Sequence, residues 1–373
     1  MTSPAGVTAA LSPAAQEVLS GLLRDATLLA ERGTATPADI DIAMRLGAGH
    51  PAGPFEVLAG LTAEQRDALS VPGGRQRVPT PDEAPAPVDG GWAGPVGVVG
   101  TGHMAGGIVE TVARSGRPVQ VLARSDAAGE GLRARLVAGL DRAVSRGRLD
   151  EAGRDRVLGL VSVTRDPADL AGTDVVVEAV AEDLDVKSAV VTRVDAVLPA
   201  TLPLATNTSS FRVADLRPSA PSGRPVLALH FFNPAQVMKL VEVVVPDDVA
   251  DAEALRTTAS AWARDLGKTP ITCADSRGFV VNRLLIPFLN DAVRLHEQGH
   301  SAEAVDDLLR TGAGHPMGPL ALIDLIGLDV TIAALESMAA VEDDPRISPA
   351  ATLRDLVAAG RVGRKTGAGF HTY

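Results

Sequence analysis

The sequence predicts an α/β protein with a domain of alternating strands and helices, an all-α C-terminal domain after it, and a small N-terminal helical domain before it. Three observations lead there. A glycine turn (TGHMAGG) separates the apolar run PVGVVG from the helix-like segment IVETVARSG. Further on, short aliphatic runs finish near polar residues, as buried strands of a covered sheet do. Lastly, a Gly/Pro-rich passage near the amino end returns near the carboxyl end.

Composition narrows the function. The 373 residues carry a net charge of −11, with 22% charged residues, so no nucleic-acid surface is expected. No apolar run reaches the ~18 residues that a membrane span needs, and the first residues lack the basic start and apolar core of a secretory signal. With one cysteine, Cys273, neither an internal disulfide nor a cysteine metal cluster can form, and no metal site is expected. A cytoplasmic protein without membrane partners is the expectation.

Residues 12–33 show a helical stripe through Val18, Leu22 and Leu29, and a second short helix opens at Thr36-Pro37-Ala38-Asp39. The segment beginning within that helix recurs near the carboxyl end at one constant register. Asp41, Arg45, Gly47, Ala48, Gly49, His50, Pro51, Gly53 and Pro54 match Asp306, Arg310, Gly312, Ala313, Gly314, His315, Pro316, Gly318 and Pro319. Residues 1–68 therefore read as a partial copy of the C-terminal domain, kept for packing, with Gln16 where Asn282 stands. Residues 69–94, dense in Pro and Gly, read as a linker.

Residues 95–277 form the expected Rossmann-type dinucleotide-binding domain. Strand, glycine turn and helix come in the order such a site requires, and Gly100, Gly102 and Ala105 give the form GxGxxA. Gly100 permits the tight turn, Gly102 lets a pyrophosphate approach, and the helix start at His103 and Met104 favours its charge. The second strand ends at Ala123-Arg124-Ser125, where an acid normally binds the ribose diol. Without that acid a 2′-phosphate is not repelled, and Arg124 with Ser125 can bind it, so NADP(H) is expected, with NAD(H) as the alternative. Otherwise Arg124 stacks on adenine or faces solvent. Residues 127–165 read as helices, and Arg142, Arg146 and Arg148 there form either a solvated face or a landing strip for an acidic carrier.

The run 203–246 brings the chemistry. His230 ends one strand (VLALHFFNP), and Glu242 lies in the next (VMKLVEVVV) after Pro234 turns the chain. One turn out and one strand back brings carboxylate to imidazole, giving a candidate acid/base dyad. Its bland alternative is a buried histidine satisfied by backbone and a glutamate at a strand edge. Helices over 251–267 and 280–298 come next, with Trp262 in the core and Asn282 as a polar amide that needs a partner in the first turns of the second. The tail GRVGRKTGAGFHTY is expected to fold back, with Lys365 reaching a cofactor phosphate or nothing.

The stretches VGVVGTGHMAGGI, VVEAVAEDLDVK, ATNTSS, LHFFNPAQVMKLVEVV, GFVVNRLL, GAGHPMGPLALIDLIGLD and GRKTGAGF together resemble the 3-hydroxyacyl-CoA dehydrogenase family, from about residue 95 to the end. The resemblance implies that His230 is the catalytic acid/base and Glu242 its orienting carboxylate. Ser209 and Asn282 would hydrogen-bond the reacting oxygen and the thioester carbonyl, while Glu182, Lys187 and Asn207 would lie beside the nicotinamide ribose. It further implies an acyl thioester substrate, on coenzyme A or a carrier protein, and the (S)-3-hydroxy product. NADPH would favour the reductive, biosynthetic direction; NAD-dependent oxidation of a 3-hydroxyacyl-CoA or a free hydroxy acid is the alternative, and a non-catalytic member of the fold a third. Family dimers form through the C-terminal helices, so the chain is expected as a homodimer or as a pseudo-dimer through its N-terminal copy.

Overall fold

The computed structural model describes residues 13–68 and 90–373; most of the expected linker lies outside the described residues. Helix α1 (Pro13–Glu31) buries Val18, Leu19, Leu22, Leu23, Ala26 and Leu29, a stripe at three- and four-residue spacing. It stops before Gly33, whose φ of +69° suits glycine. Helix α2 (Pro37–Gly47) starts with Thr36 as cap, the hydroxyl accepting from Asp39 N–H at 3.1 Å, and with Pro37 in its first turn. Helices α3 (Pro54–Gly60) and α4 (Ala63–Ala68) complete the amino-terminal part.

The chain then builds a separate sheet unit that ends at Asp275. Strand β1 (Val96–Val99) leads into α5 (His103–Arg114), and β2 (Val119–Leu122) into α6 (Asp126–Ser145) and α7 (Glu151–Gly159). Next come β3 (Val161–Thr164), β4 (Val175–Glu178), α8 (Leu184–Asp195), β5 (Leu204–Thr206), α9 (Val213–Leu216) and β6 (Val226–Phe231). The unit closes with β7 (Leu240–Val244), α10 (Ala252–Asp265) and β8 (Thr269–Thr272). The strands form one sheet in the order β3-β2-β1-β4-β5-β6-β7-β8. All neighbours are parallel except β6 and β7, which run antiparallel. Every residue of β1, β4, β5, β6 and β7 is buried, which is why these runs are apolar apart from Glu178, Thr206, His230 and Glu242.

One expectation is corrected. Residues 127–165 are not helical throughout, because Val161–Thr164 form the edge strand β3. Only Val161 of that strand is buried, so its pattern does not announce a strand. Trp262 is fully buried as expected, edge-on to Trp92 and Phe231 with ring centroids 5.7 and 6.2 Å away.

The helical unit combines α1–α4 with α11 (Val281–Glu297), α12 (Ala302–Gly312), α13 (Pro319–Ile326), α14 (Leu328–Ala339) and α15 (Ala351–Ala358). Helix α1 lies along α11, so the repeated segment packs on the C-terminal helices of its own chain. The two copies share their local devices. Asp41 accepts from Phe55 N–H at 2.7 Å at the start of α3, and Asp306 from Leu320 N–H at 2.8 Å at the start of α13. A Cβ on Gly53 would fall 2.3 Å from Asp41, and one on Gly318 2.2 Å from Asp306, so both glycines are required.

Contacts between the copies are reciprocal. Gly49 faces Pro316, Gly314 faces Pro51, and the rings of His50 and His315 meet with centroids 4.4 Å apart. Such an exchange of equivalent partners is the mark of an isologous, two-fold contact. The glycine-rich tail folds back within this unit, where Asp324 accepts from Phe370 N–H at 2.8 Å and His371 N–H at 2.9 Å.

Candidate active site

Strand reversal sets the first feature. His230 on β6 and Glu242 on β7 are directly opposed in the antiparallel ladder, and opposed residues present their side chains on one face. His230 Nδ1 lies 2.6 Å from Glu242 Oε2. Glu242 is fully buried and His230 only 5% exposed. A carboxylate on Nδ1 places a proton there, leaves Nε2 as the basic nitrogen of the neutral ring, and stabilises the imidazolium. The Phe232 ring packs against the imidazole at 4.5 Å between centroids.

A second cluster lies at the carboxyl ends of β4 and β5, where parallel sheets bind ligands. Glu182 Oε1 accepts from Thr208 Oγ1–H (2.7 Å), Ser209 N–H (2.7 Å) and Ser210 N–H (2.8 Å), with Ser209 Oγ at 3.2 Å. Its Oε2 is 3.2 Å from Lys187 Nζ. Burial pushes the Glu182 carboxyl up, but the Lys187 ammonium and these donors outweigh it and hold the pKa below the usual value. Asn207 Oδ1 accepts from Phe231 N–H at 2.8 Å, tying the loop after β5 to the residue beside His230.

Beneath them Lys187 is 1% exposed and Glu178 fully buried, with Nζ 3.1 and 3.2 Å from the two carboxylate oxygens. Thr206 Oγ1–H and Val180 N–H donate to the same carboxylate at 2.6 and 2.7 Å. Sequence reasoning named Lys187 and missed Glu178. The signal was present in the acid that ends the buried run DVVVE, nine residues before the lysine.

The glycine turn has the shape a dinucleotide needs. Gly100 has φ +124°, and a Cβ there would lie 2.6 Å from Ala179 O, so only glycine fits. A Cβ on Gly102 would meet nothing within 4 Å, and no side chain caps α5. The exposed residues Gly102 and His103, with Met104 and the buried Ala105, thus leave an open cradle at the helix start. At the end of β2, Ala123 is buried and Arg124 exposed, while Ser125 Oγ accepts from Ala128 N–H at 3.2 Å as the cap of α6. The acid of that turn, Asp126, pairs with Arg165 at 3.3 Å.

The remaining expected residues belong to the helical unit. Asn282 sits half-buried in the first turn of α11. Lys365 Nζ is held by both oxygens of Asp329, at 2.6 and 2.7 Å. No helix among the described residues is long and apolar enough to cross a membrane.

The 3-hydroxyacyl-CoA dehydrogenase NAD binding domain matches residues 95–276, and the family's C-terminal domain matches 14–77 and 278–373. The chain belongs to the 3-hydroxyacyl-CoA dehydrogenase family. Its C-terminal domain is thus matched twice, once in each copy.

Among similar 3-hydroxybutyryl-CoA dehydrogenases, that of Mycobacterium tuberculosis is 43% identical over 281 residues, covering 74% of this chain and 98% of the relative. That of Clostridioides difficile is 37% identical over 277 residues, covering 74% of this chain and 98% of the relative. The crystal structure of (S)-3-hydroxybutyryl-CoA dehydrogenase from Ralstonia eutropha is 38% identical, covers 75% of this chain and 98% of that one, and superposes with a TM-score of 0.69. This member of the 3-hydroxyacyl-CoA dehydrogenase family is therefore an oxidoreductase of that type, with a domain for a nicotinamide cofactor.

Proposed function

We propose that this chain interconverts 3-oxoacyl and (S)-3-hydroxyacyl thioesters, working in the reductive direction with NADPH. The observation that carries the reading is the buried 2.6 Å contact between His230 and Glu242 at the end of a covered sheet. When bound, the nicotinamide supplies the hydride that reaches or leaves C3. His230 gives a proton to the C3 oxygen from Nε2 in reduction and takes it back in oxidation. Glu242 keeps Nδ1 protonated and balances the imidazolium charge. Ser209 steadies the reacting oxygen, and Asn282 hydrogen-bonds the thioester carbonyl.

Glu182, Lys187 and Asn207 shape the nicotinamide-ribose side, and the amides after Gly102 take the pyrophosphate. Lys365 is proposed as a further cofactor-phosphate contact. Preference for NADPH rests on Ala123, which brings no charge to the ribose, and on Arg124 and Ser125, which bring donors for a 2′-phosphate. We also propose that the N-terminal copy takes the place of a second chain on α11, making an internal pseudo-dimer. The reciprocal Gly49–Pro316 and Gly314–Pro51 contacts support it.

Reduction of acetoacetyl-CoA with NADPH and with NADH, followed by nicotinamide absorbance, tests the chemistry. NADPH should be preferred about tenfold, the worth of one charge-assisted contact. His230→Ala should lose roughly 10²–10⁴-fold in kcat. Turnover undiminished in His230→Ala would end the dyad reading, and NADH preference would end the Arg124 reading. Light scattering of the full chain and of a chain lacking residues 1–90 tests the pseudo-dimer. Unchanged mass and stability in the shortened chain would refute it.

A further inference from the structure

Arg135 on α6 donates from Nη2 to the carbonyl oxygen of Thr101, the residue between the two glycines of the turn. Packing explains how it gets there. Leu132 and Leu136 of α6 are buried, and Leu132 Cδ1 comes within 3.6 Å of where a Cβ on Gly106 of α5 would stand. Arg135, three residues after Leu132, stands at the exposed edge of that same face, and its guanidinium lies against the turn.

A guanidinium carries five donors and a permanent charge, and Thr101 engages one donor. Among the described residues no carboxylate lies within ion-pair distance of it. Beside it, Gly102 opens onto space with no side-chain cap on α5. A charged, incompletely used donor set thus stands at the mouth of an anion cradle.

We propose that Arg135 binds the pyrophosphate of the dinucleotide. The bond to Thr101 holds the long side chain near its bound position, which reduces the entropy lost on binding. The inference rests on the glycine turn as the cofactor site, but not on which cofactor is preferred. Arg135 reads what NAD and NADP share, and Arg124 reads where they differ.

Calorimetric binding of adenosine, ADP, NADH and NADPH to the full chain separates these roles. Arg135→Ala should weaken ADP, NADH and NADPH by the same factor of about ten and leave adenosine unchanged. Arg135→Lys should recover part of the loss at low salt, because the charge remains. Arg124→Ala should weaken NADPH alone. ADP bound by Arg135→Ala as tightly as by the parent would overturn the proposal, and so would an equal loss of adenosine, which would indicate a collapsed site. If NADH and NADPH bind the parent equally while Arg135→Ala still loses ADP, the Arg124 reading falls and the Arg135 assignment stands.

Discussion

Asp25 and Asp291 occupy the same position in two copies of one helix, and they share a single guanidinium. Each stands eight residues before the glycine that follows its helix, Gly33 or Gly299, in the same register that sets Gln16 against Asn282, and each is the aspartate of its helix. Arg346 Nη1 donates to Asp25 at 2.8 Å, while its Nε lies 3.2 Å from Asp291 Oδ2 and its Nη2 bonds that carboxylate as well. Burial pushes both carboxyls up, and the Arg346 charge opposes the shift in each. Arg283 lies 3.8 Å from Asp25 as a second cation, but Arg346 is the one that both carboxylates share.

Removing that cation should loosen the halves. Arg346→Met leaves two carboxylates facing each other under cover and should cost about 3–5 kcal/mol, as broken buried pairs do. Urea unfolding measures the loss, and adding Asp25→Asn should return part of it. A loss under about 1 kcal/mol would show that the cluster is effectively solvated.

The His50–His315 pair makes stability depend on pH. Burial lowers the His50 pKa well below its ordinary value, with the His315 charge adding to it, and burial takes His315 to about 4. Because these folded-state values lie under the unfolded value of about 6.5, the unfolded chain binds more protons between them, and stability falls as pH drops through that window. Asp41, raised by burial to about 7, tilts the other way over much of the same range, so the comparison must isolate one imidazole. Melting temperatures of the parent and His315→Gln, followed from about pH 7 to pH 4, should show the smaller acid loss in the variant. Parallel curves would refute this.

The buried Lys187 should matter more to folding than to turnover chemistry. Lys187→Met strands Glu178 in the core and should destabilise by about 3–5 kcal/mol. The double variant Lys187→Met, Glu178→Gln should recover a good part, since a neutral amide keeps hydrogen bonds to Thr206 and Val180. Chemical denaturation of the three proteins tests this; equal losses in single and double variants would contradict it.

Much of this was legible in the sequence wherever meaning depends on near neighbours. The Gly100–Gly102 turn, the buried strands and the pairing of His230 with Glu242 across a short reversal all come from local spacing. β3 was not legible, since an edge strand with one buried residue has no apolar run to display. Only the acid that ends the run before Lys187 hinted at Glu178; its other partner, Thr206, arrives from β5 by parallel pairing that spacing does not encode. The repeat itself could be read from matched residues, but not whether it docks on its own chain or on another. The reciprocal glycine and proline contacts form within one chain, as the proposed pseudo-dimer requires.

In a pair of identical chains, any substitution at the shared face is inherited twice, at both ends of the two-fold axis, and must suit both at once. Here each half of the face has its own codons. Arg24 and Asn290 stand at equivalent places yet do unlike work, one reaching Asp344 at 3.4 Å and the other bonding Arg346 O and Ser348 O at 2.8 Å. In the internal pseudo-dimer proposed above, the chain can therefore drift one side at a time.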